Sequence, residues 1–189
     1  MNPRHGYLIE PLGSEYNNTK NIAGVDLVVN TTIEDAAFVN RLGVVVATPD
    51  NSEIKVGDIV VVHHNVFRTY LNMRGNKTKS NEFFRDDLYL VNPDRIFLYS
   101  RDGKWSTIEN YCFIKPVDKE QDKSYFQVEK LQEHTGIVHF GNKDLESMGI
   151  SEGDKVGFTK NSEYEFEIDG HKLYRMQNQD VCLTITTIE

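Results

Sequence analysis

The residues of this chain best suited to chemistry are six histidines, two cysteines and two aspartates that each follow a glycine. A metal centre would need imidazole and thiolate ligands converging at short, recognisable spacings. Neither Cys112 nor Cys182 stands at such a spacing from His5, His63, His64, His134, His139 or His171. His63 and His64 are adjacent in a strand-like run, where successive side chains point to opposite faces and cannot easily share an ion. So few cysteines read as reduced core thiols, with a disulfide open only if their two strands are neighbours. Asp58 and Asp154 sit in Gly-Asp turns and read better as turn residues than as an acid/base pair. There is no phosphate-cradling glycine loop. The expectation is a chain with no catalytic residues, no metal and no cofactor, and therefore not an enzyme.

The elements holding those aspartates are more informative than the aspartates themselves. Ile54-Lys55-Val56-Gly57-Asp58-Ile59-Val60 and Ile150-Ser151-Glu152-Gly153-Asp154-Lys155-Val156 share the pattern Ile-x-x-Gly-Asp-x-Val. Glycine supplies turn dihedrals that other residues resist, aspartate bonds nearby backbone, and the alternating apolar residues that follow bury one face of a strand. A glycine-led strand precedes each turn, Gly43 to Ala47 and Gly136 to Gly141. Each copy opens on an apolar strand running into proline, Tyr7 to Leu12 and Tyr111 to Val117. Each closes on a Leu-Tyr strand, at Leu88 and Leu173. The same features in the same order, twice, indicate an internal duplication.

At 189 residues, with 39% hydrophobic and 11% aromatic content, the chain can close two small cores. The boundary is expected near Gly103 to Thr107, giving domains 1–104 and 105–189. Many short strands, few helices and one duplication predict an all-β protein of two tandem small antiparallel barrels. The ends Tyr7 to Leu12 and Val181 to Ile188 are expected to be edge strands, the first because Pro11 limits interior pairing. Glu163 to Tyr174 alternates strictly about Asp169-Gly170, the strongest hairpin signal present. Gly75-Asn76 is the expected tip of a second excursion, Asn65 to Phe84.

The two copies differ most between their first and second strands. The first carries a polar, turn-prone run, Ser14 to Asn21, then the apolar cluster Ile22 to Val29, then Asn30-Thr31-Thr32. That cluster reads either as a strand packing on the core or as a recognition segment that orders on entering a partner's groove. Ile33 to Asn40 could form a short helical turn. The second copy has instead a shorter charged loop, Asp118 to Lys123, then Tyr125 to Val128.

A net charge of -8 argues against a general nucleic-acid binder, and Arg68 to Lys79 reads as a solvated basic loop. No apolar run is long enough to span a bilayer, and Met1-Asn2-Pro3-Arg4-His5 lacks a signal-peptide pattern. A cytoplasmic protein that engages neither membrane nor nucleic acid is expected.

Taken in order, these features resemble the GroES family of co-chaperonins: apolar strand to proline, long loop with a Gly-Val-Asp-Leu patch, glycine-led strand, Ile-x-x-Gly-Asp-x-Val, and a Leu-Tyr strand ending in Asp94-Arg95-Ile96. The likeness covers most of residues 6 to 185, in both copies. It implies two GroES-like barrels, the first with a mobile loop over about 13–40. It implies a co-chaperonin that caps a GroEL-type chaperonin ring, encloses an unfolded client during ATP-dependent folding, and forms a homo-oligomeric ring.

The docking role would fall on Gly24, Val25, Leu27 and Val28, flanked by Ile22 and Val29. Asp26 departs from the family's apolar pattern. The turns Thr48 to Lys55 and Lys143 to Gly149 are too short for the family's roof hairpin. A structural or assembly protein, viral or otherwise, that keeps such barrels without binding chaperonin is the alternative. The barrel of medium-chain alcohol dehydrogenases is similar too, but it needs a dinucleotide-binding domain whose glycine motif is missing here.

Overall fold

A computed structural model of the chain describes residues 1, 3–13, 16, 19–22, 25–28, 39–108, 110–118 and 131–185. The strands run in order as β1 (Tyr7–Pro11), β2 (Thr19–Ile22), β3 (Val25–Val28), β4 (Leu42–Ala47), β5 (Ile59–Val62), β6 (Thr69–Leu71), β7 (Lys77–Lys79), β8 (Phe83–Arg85), β9 (Leu88–Val91) and β10 (Ile96–Arg101). They continue as β11 (Lys104–Thr107), β12 (Tyr111–Asp118), β13 (Leu131–Phe140), β14 (Lys155–Phe158), β15 (Tyr164–Ile168), β16 (His171–Gln177) and β17 (Val181–Thr184). Among the described residues one short helix, α1 (Lys143–Ser147), and 3-10 turns at Pro93–Arg95 and Asn178–Asp180 accompany them. The chain is all-β with antiparallel sheets. Among the described residues no helix is long and apolar enough to cross a membrane.

The chain divides into two compact units, Met1–Lys104 and Trp105–Glu189. In the first, leaving aside β11, which runs across the boundary at Lys104, hydrogen bonding orders the strands β10-β5-β4-β1-β9-β8. In the second the order is β17-β14-β13-β12-β16-β15. With the β2–β3 and β6–β7 hairpins set aside, these are the same arrangement: last strand, third, second, first, fifth, fourth.

The duplicated turn is built from the same bonds in both units. Lys55 N donates to Asp58 Oδ2 and Ser151 N to Asp154 Oδ2, each at 2.8 Å. Gly57 N reaches Val45 O and Gly153 N reaches Val138 O, again each at 2.8 Å. The two glycines hold φ of 92° and 94°, a left-handed region that glycine occupies without a steric penalty.

The proline-ended first strand is duplicated in register as well. Pro11 stands opposite Gly43 on β4, and Pro116 opposite Gly136 on β13. A Cβ on Gly43 would press into Ile9 Cγ2 and come within 3.0 Å of Glu10 O; one on Gly136 would press into Ile114 Cγ2 and within 2.8 Å of Lys115 O. These glycines mark where two strands approach too closely for a side chain.

Two expectations need correction. β1 is an interior strand, paired with β4 on one side and β9 on the other. Pro11 tolerates this because β9 pairs only as far as Ile9, so the residue without an N–H meets no ladder on that side. Both main sheets are also open rather than closed into barrels. The outer strand β15 presents Glu165 and Glu167 to solvent, and charge on an edge strand discourages further pairing.

Inner strands are nevertheless buried residue after residue. Val60, Val61 and Val62 on β5, Ile96, Phe97 and Leu98 on β10, and Cys112, Phe113 and Ile114 on β12 are all buried, so these strands are covered on both faces. In the second unit Cys112, Ile114, Val138, Leu145, Val156, Phe158 and Met176 form one cluster. Phe113 contacts Phe166 on the other side of β12, their ring centres 5.8 Å apart.

Candidate functional site

Between β1 and β4 the first unit sends out an insertion through a closed neck. Leu12 N donates to Leu42 O at 2.9 Å. The buried Asn40 ties the same two residues again: its Nδ2 donates to Leu12 O at 2.8 Å and its Oδ1 accepts from Leu42 N at 2.9 Å. Just beyond, Tyr16 bridges Val39. Its hydroxyl then reaches Thr69, accepting from the backbone N at 2.9 Å and donating to the backbone O at 3.1 Å.

Past the neck, β2 and β3 form a two-stranded sheet of their own. Ile22 pairs with Val25, Asn21 with Asp26, Lys20 with Leu27 and Thr19 with Val28. Only Ala23 and Gly24 separate the paired ends, the length of a tight hairpin connection. Alternation along the ladder puts Lys20, Ile22, Val25 and Leu27 at positions of one face and Thr19, Asn21, Asp26 and Val28 at positions of the other. Of the docking residues expected from sequence, the register thus groups Ile22, Val25 and Leu27 and separates Val28 from them. Gly24 and Val29 lie outside the described residues, as do Ile33 to Phe38 of the expected helical turn. Asp26 interrupts the apolar run in sequence, yet it shares a face with neither Val25 nor Leu27.

The second insertion is the β6–β7 hairpin, Thr69 pairing with Lys79 and Leu71 with Lys77. Its tip is organised by Asn72. That side chain's Oδ1 accepts from Arg74 N at 2.9 Å and Asn76 N at 3.0 Å, while Gly75 N donates to Asn72 O at 2.9 Å. Its base is held by Ser80 Oγ donating to Val66 O, by Lys79 pairing with Asp87 at 2.8 Å, and by Tyr16.

Groups suited to catalysis are absorbed into the framework. Burial alone would raise the Asp58 carboxyl, but hydrogen bonds from Arg101 and from the Lys55 backbone hold it below the usual carboxylate range. Arg101 binds it with two nitrogens, Nε to Oδ1 at 2.9 Å and Nη2 to Oδ2 at 2.6 Å, and Nη2 also donates to Glu53 O. Burial pushes the Cys112 thiol up to about 12, which removes it as a nucleophile at neutral pH. Cys182 is exposed, and both cysteines are free; β13 and β14 stand between their strands.

The reading of His63 and His64 as opposed is corrected. Both residues follow the end of β5, where strand alternation no longer applies, and their rings stack with centres 4.2 Å apart. Burial, then the charges of His63, Arg41, Arg68 and Arg95, lower His64 to about 4. A site ringed by cations repels a metal ion. Among the described residues no group of three or more histidine, cysteine or acidic side chains could hold one.

Sequence reasoning missed Tyr16 and Asn40, the residues that fix where the insertions leave the sheet. The only signal was a tyrosine and an asparagine at the two ends of a polar run. No protein-family model matches the chain, and no curated protein matches it.

Proposed function

We propose that the chain is a non-enzymatic co-chaperonin of two GroES-like units, which caps a GroEL-type chaperonin ring through the β2–β3 hairpin of its first unit. The observation that carries this reading is the placement of that hairpin. It is inserted directly after the proline-ended first strand, closed at the neck by Asn40 and Tyr16, and puts Ile22, Val25 and Leu27 at positions of one face near its tip. The second unit repeats the framework's strand order, and among the described residues only the first adds this hairpin to it. Burying three aliphatic side chains yields about 1.5–3 kcal/mol each, much of it offset by ordering the segment. One such site is weak and releasable, while a homo-oligomeric ring of them holds firmly.

The test is co-sedimentation with a double-ring chaperonin, with and without ATP. Nucleotide-dependent binding by the native chain, reduced at least tenfold in Val25→Asp/Leu27→Asp, is the expected result. No binding by the native chain would overturn the reading.

A second reading, a structural or assembly protein that keeps the framework without binding chaperonin, has one observation behind it. The β2–β3 hairpin is already paired in the chain alone, so its ladder does not depend on a partner. Protease resistance of Asn17 to Thr32 that chaperonin leaves unchanged would favour this reading.

A further inference from the structure

Among the described residues the first unit carries two hairpins with no counterpart in the second, and one residue joins their roots. Tyr16, at the neck of the β2–β3 insertion, bonds both backbone atoms of Thr69, the first residue of β6. Thr69 is buried, so this is an internal tie rather than a surface contact.

The β6–β7 tip is unlike the rest of the protein in two ways. Its large apolar side chains face solvent: Met73 is fully exposed, Leu71 is 46% exposed and Tyr70 is 37% exposed. The chain is also free of acidic residues from Ile59 to Asn81, a stretch containing Arg68, Arg74, Lys77 and Lys79, although the whole carries a net charge of -8. Lys79 is engaged with Asp87, while Arg74 and Lys77 are exposed at the tip beside Met73. Apolar anchors rimmed by cations on an otherwise acidic protein match a groove of opposite design, apolar with an acidic rim. The Asn72 bonds hold the tip in shape beforehand, which lowers the ordering cost of docking.

We propose that the β6–β7 hairpin is a second docking arm, placing Leu71 and Met73 in an acidic-rimmed apolar groove of the same chaperonin ring that receives the β2–β3 hairpin. This rests on the co-chaperonin reading above. Tyr16 is the positioning residue, because its hydroxyl sets one hairpin root against the other. A chain with the same net charge but no such basic arm would approach an acidic surface against repulsion. Here the arm leads the encounter.

The experiment is co-sedimentation of the full chain with a double-ring chaperonin and ATP across a salt series. It compares the native chain with Leu71→Asp/Met73→Asp, Arg74→Glu/Lys77→Glu and Tyr16→Phe. The tip residues are exposed, so thermal melts of the first two variants are expected to match the native one. Each is expected to weaken binding about tenfold, and the charge reversal to flatten its dependence on salt. Tyr16→Phe is expected to weaken binding less while leaving the salt slope intact.

Native binding that is lost in Val25→Asp/Leu27→Asp but unchanged in both tip variants would overturn the second arm and leave the co-chaperonin reading standing. No native binding would overturn both. Tip variants that change the chain's own sedimenting mass, with chaperonin binding unaltered, would assign the hairpin to contacts between copies and so overturn the proposal.

Discussion

At the scale of single residues, the side chains with chemical potential serve the framework, and their titration should report on stability. His64 has the clearest signature. Its imidazole is lowered to about 4 from an ordinary 6.5, first by burial and then by His63, Arg41, Arg68 and Arg95. The unfolded chain therefore binds a proton that the folded chain refuses as pH falls from 6.5 toward about 4. Stability from this residue is complete above 6.5 and declines through that window. Asp58 behaves in the same direction but lower, because its depressed carboxyl contributes stability that is lost only below its ordinary value of 3.8. Urea melts of the native chain and His64→Gln separate the two. The midpoint of the native chain should fall between pH 6.5 and about 4, and His64→Gln should show a flatter profile over that interval. An identical slope in both would mean that His64 is as accessible to protons folded as unfolded.

At the scale of elements, what could be read from the sequence was local, and what could not depended on residues far apart. The Asp169-Gly170 hairpin was legible because both turn residues adopt positive φ, 50° and 75°, a conformation this pair accepts readily. The Gly-Asp turns were legible because their glycines hold positive φ and their aspartates accept from a backbone amide three residues earlier. Pro11 misled, since a proline's cost depends on whether a strand passes its bare nitrogen, and that is decided by where β9 stops. The histidine pair misled because strand alternation was extended beyond the end of β5. Tyr16 and Asn40 were illegible, as their partners lie 53 and 28 residues away. The paired glycines sharpen the point: sequence showed two glycine-led strands, but only the register shows why glycine is needed. Gly136→Ala should destabilise the second unit by about 1–3 kcal/mol, because its Cβ meets Ile114 and the Lys115 carbonyl with no room to yield. Gly141, whose added Cβ would meet nothing closer than 3.5 Å, provides the control substitution. Chemical denaturation of Gly136→Ala and Gly141→Ala against the native chain checks this, and equal midpoints for all three would show that the strands can part.

At the scale of the whole molecule, one framework has been used twice with unequal decoration. Both units keep the strand order, the Gly-Asp turn and the proline-to-glycine register, while among the described residues both hairpin insertions fall in the first. In both units a backbone amide bonds the turn aspartate, and in the first Arg101 clamps it as well. The first unit thus has a charged clasp on its framework turn. If the chain works as a ring lid, affinity comes from several weak hairpins acting together rather than from one strong site. Mixed rings make that measurable. When native subunits are assembled with increasing proportions of Val25→Asp/Leu27→Asp subunits, each replaced hairpin removes a factor from a product rather than a share from a sum. The fraction of lid retained on the chaperonin should therefore fall much more steeply than the fraction of native subunits. A fall in simple proportion would mean that each subunit binds alone, and would remove the ring from the mechanism while leaving the hairpin as its contact.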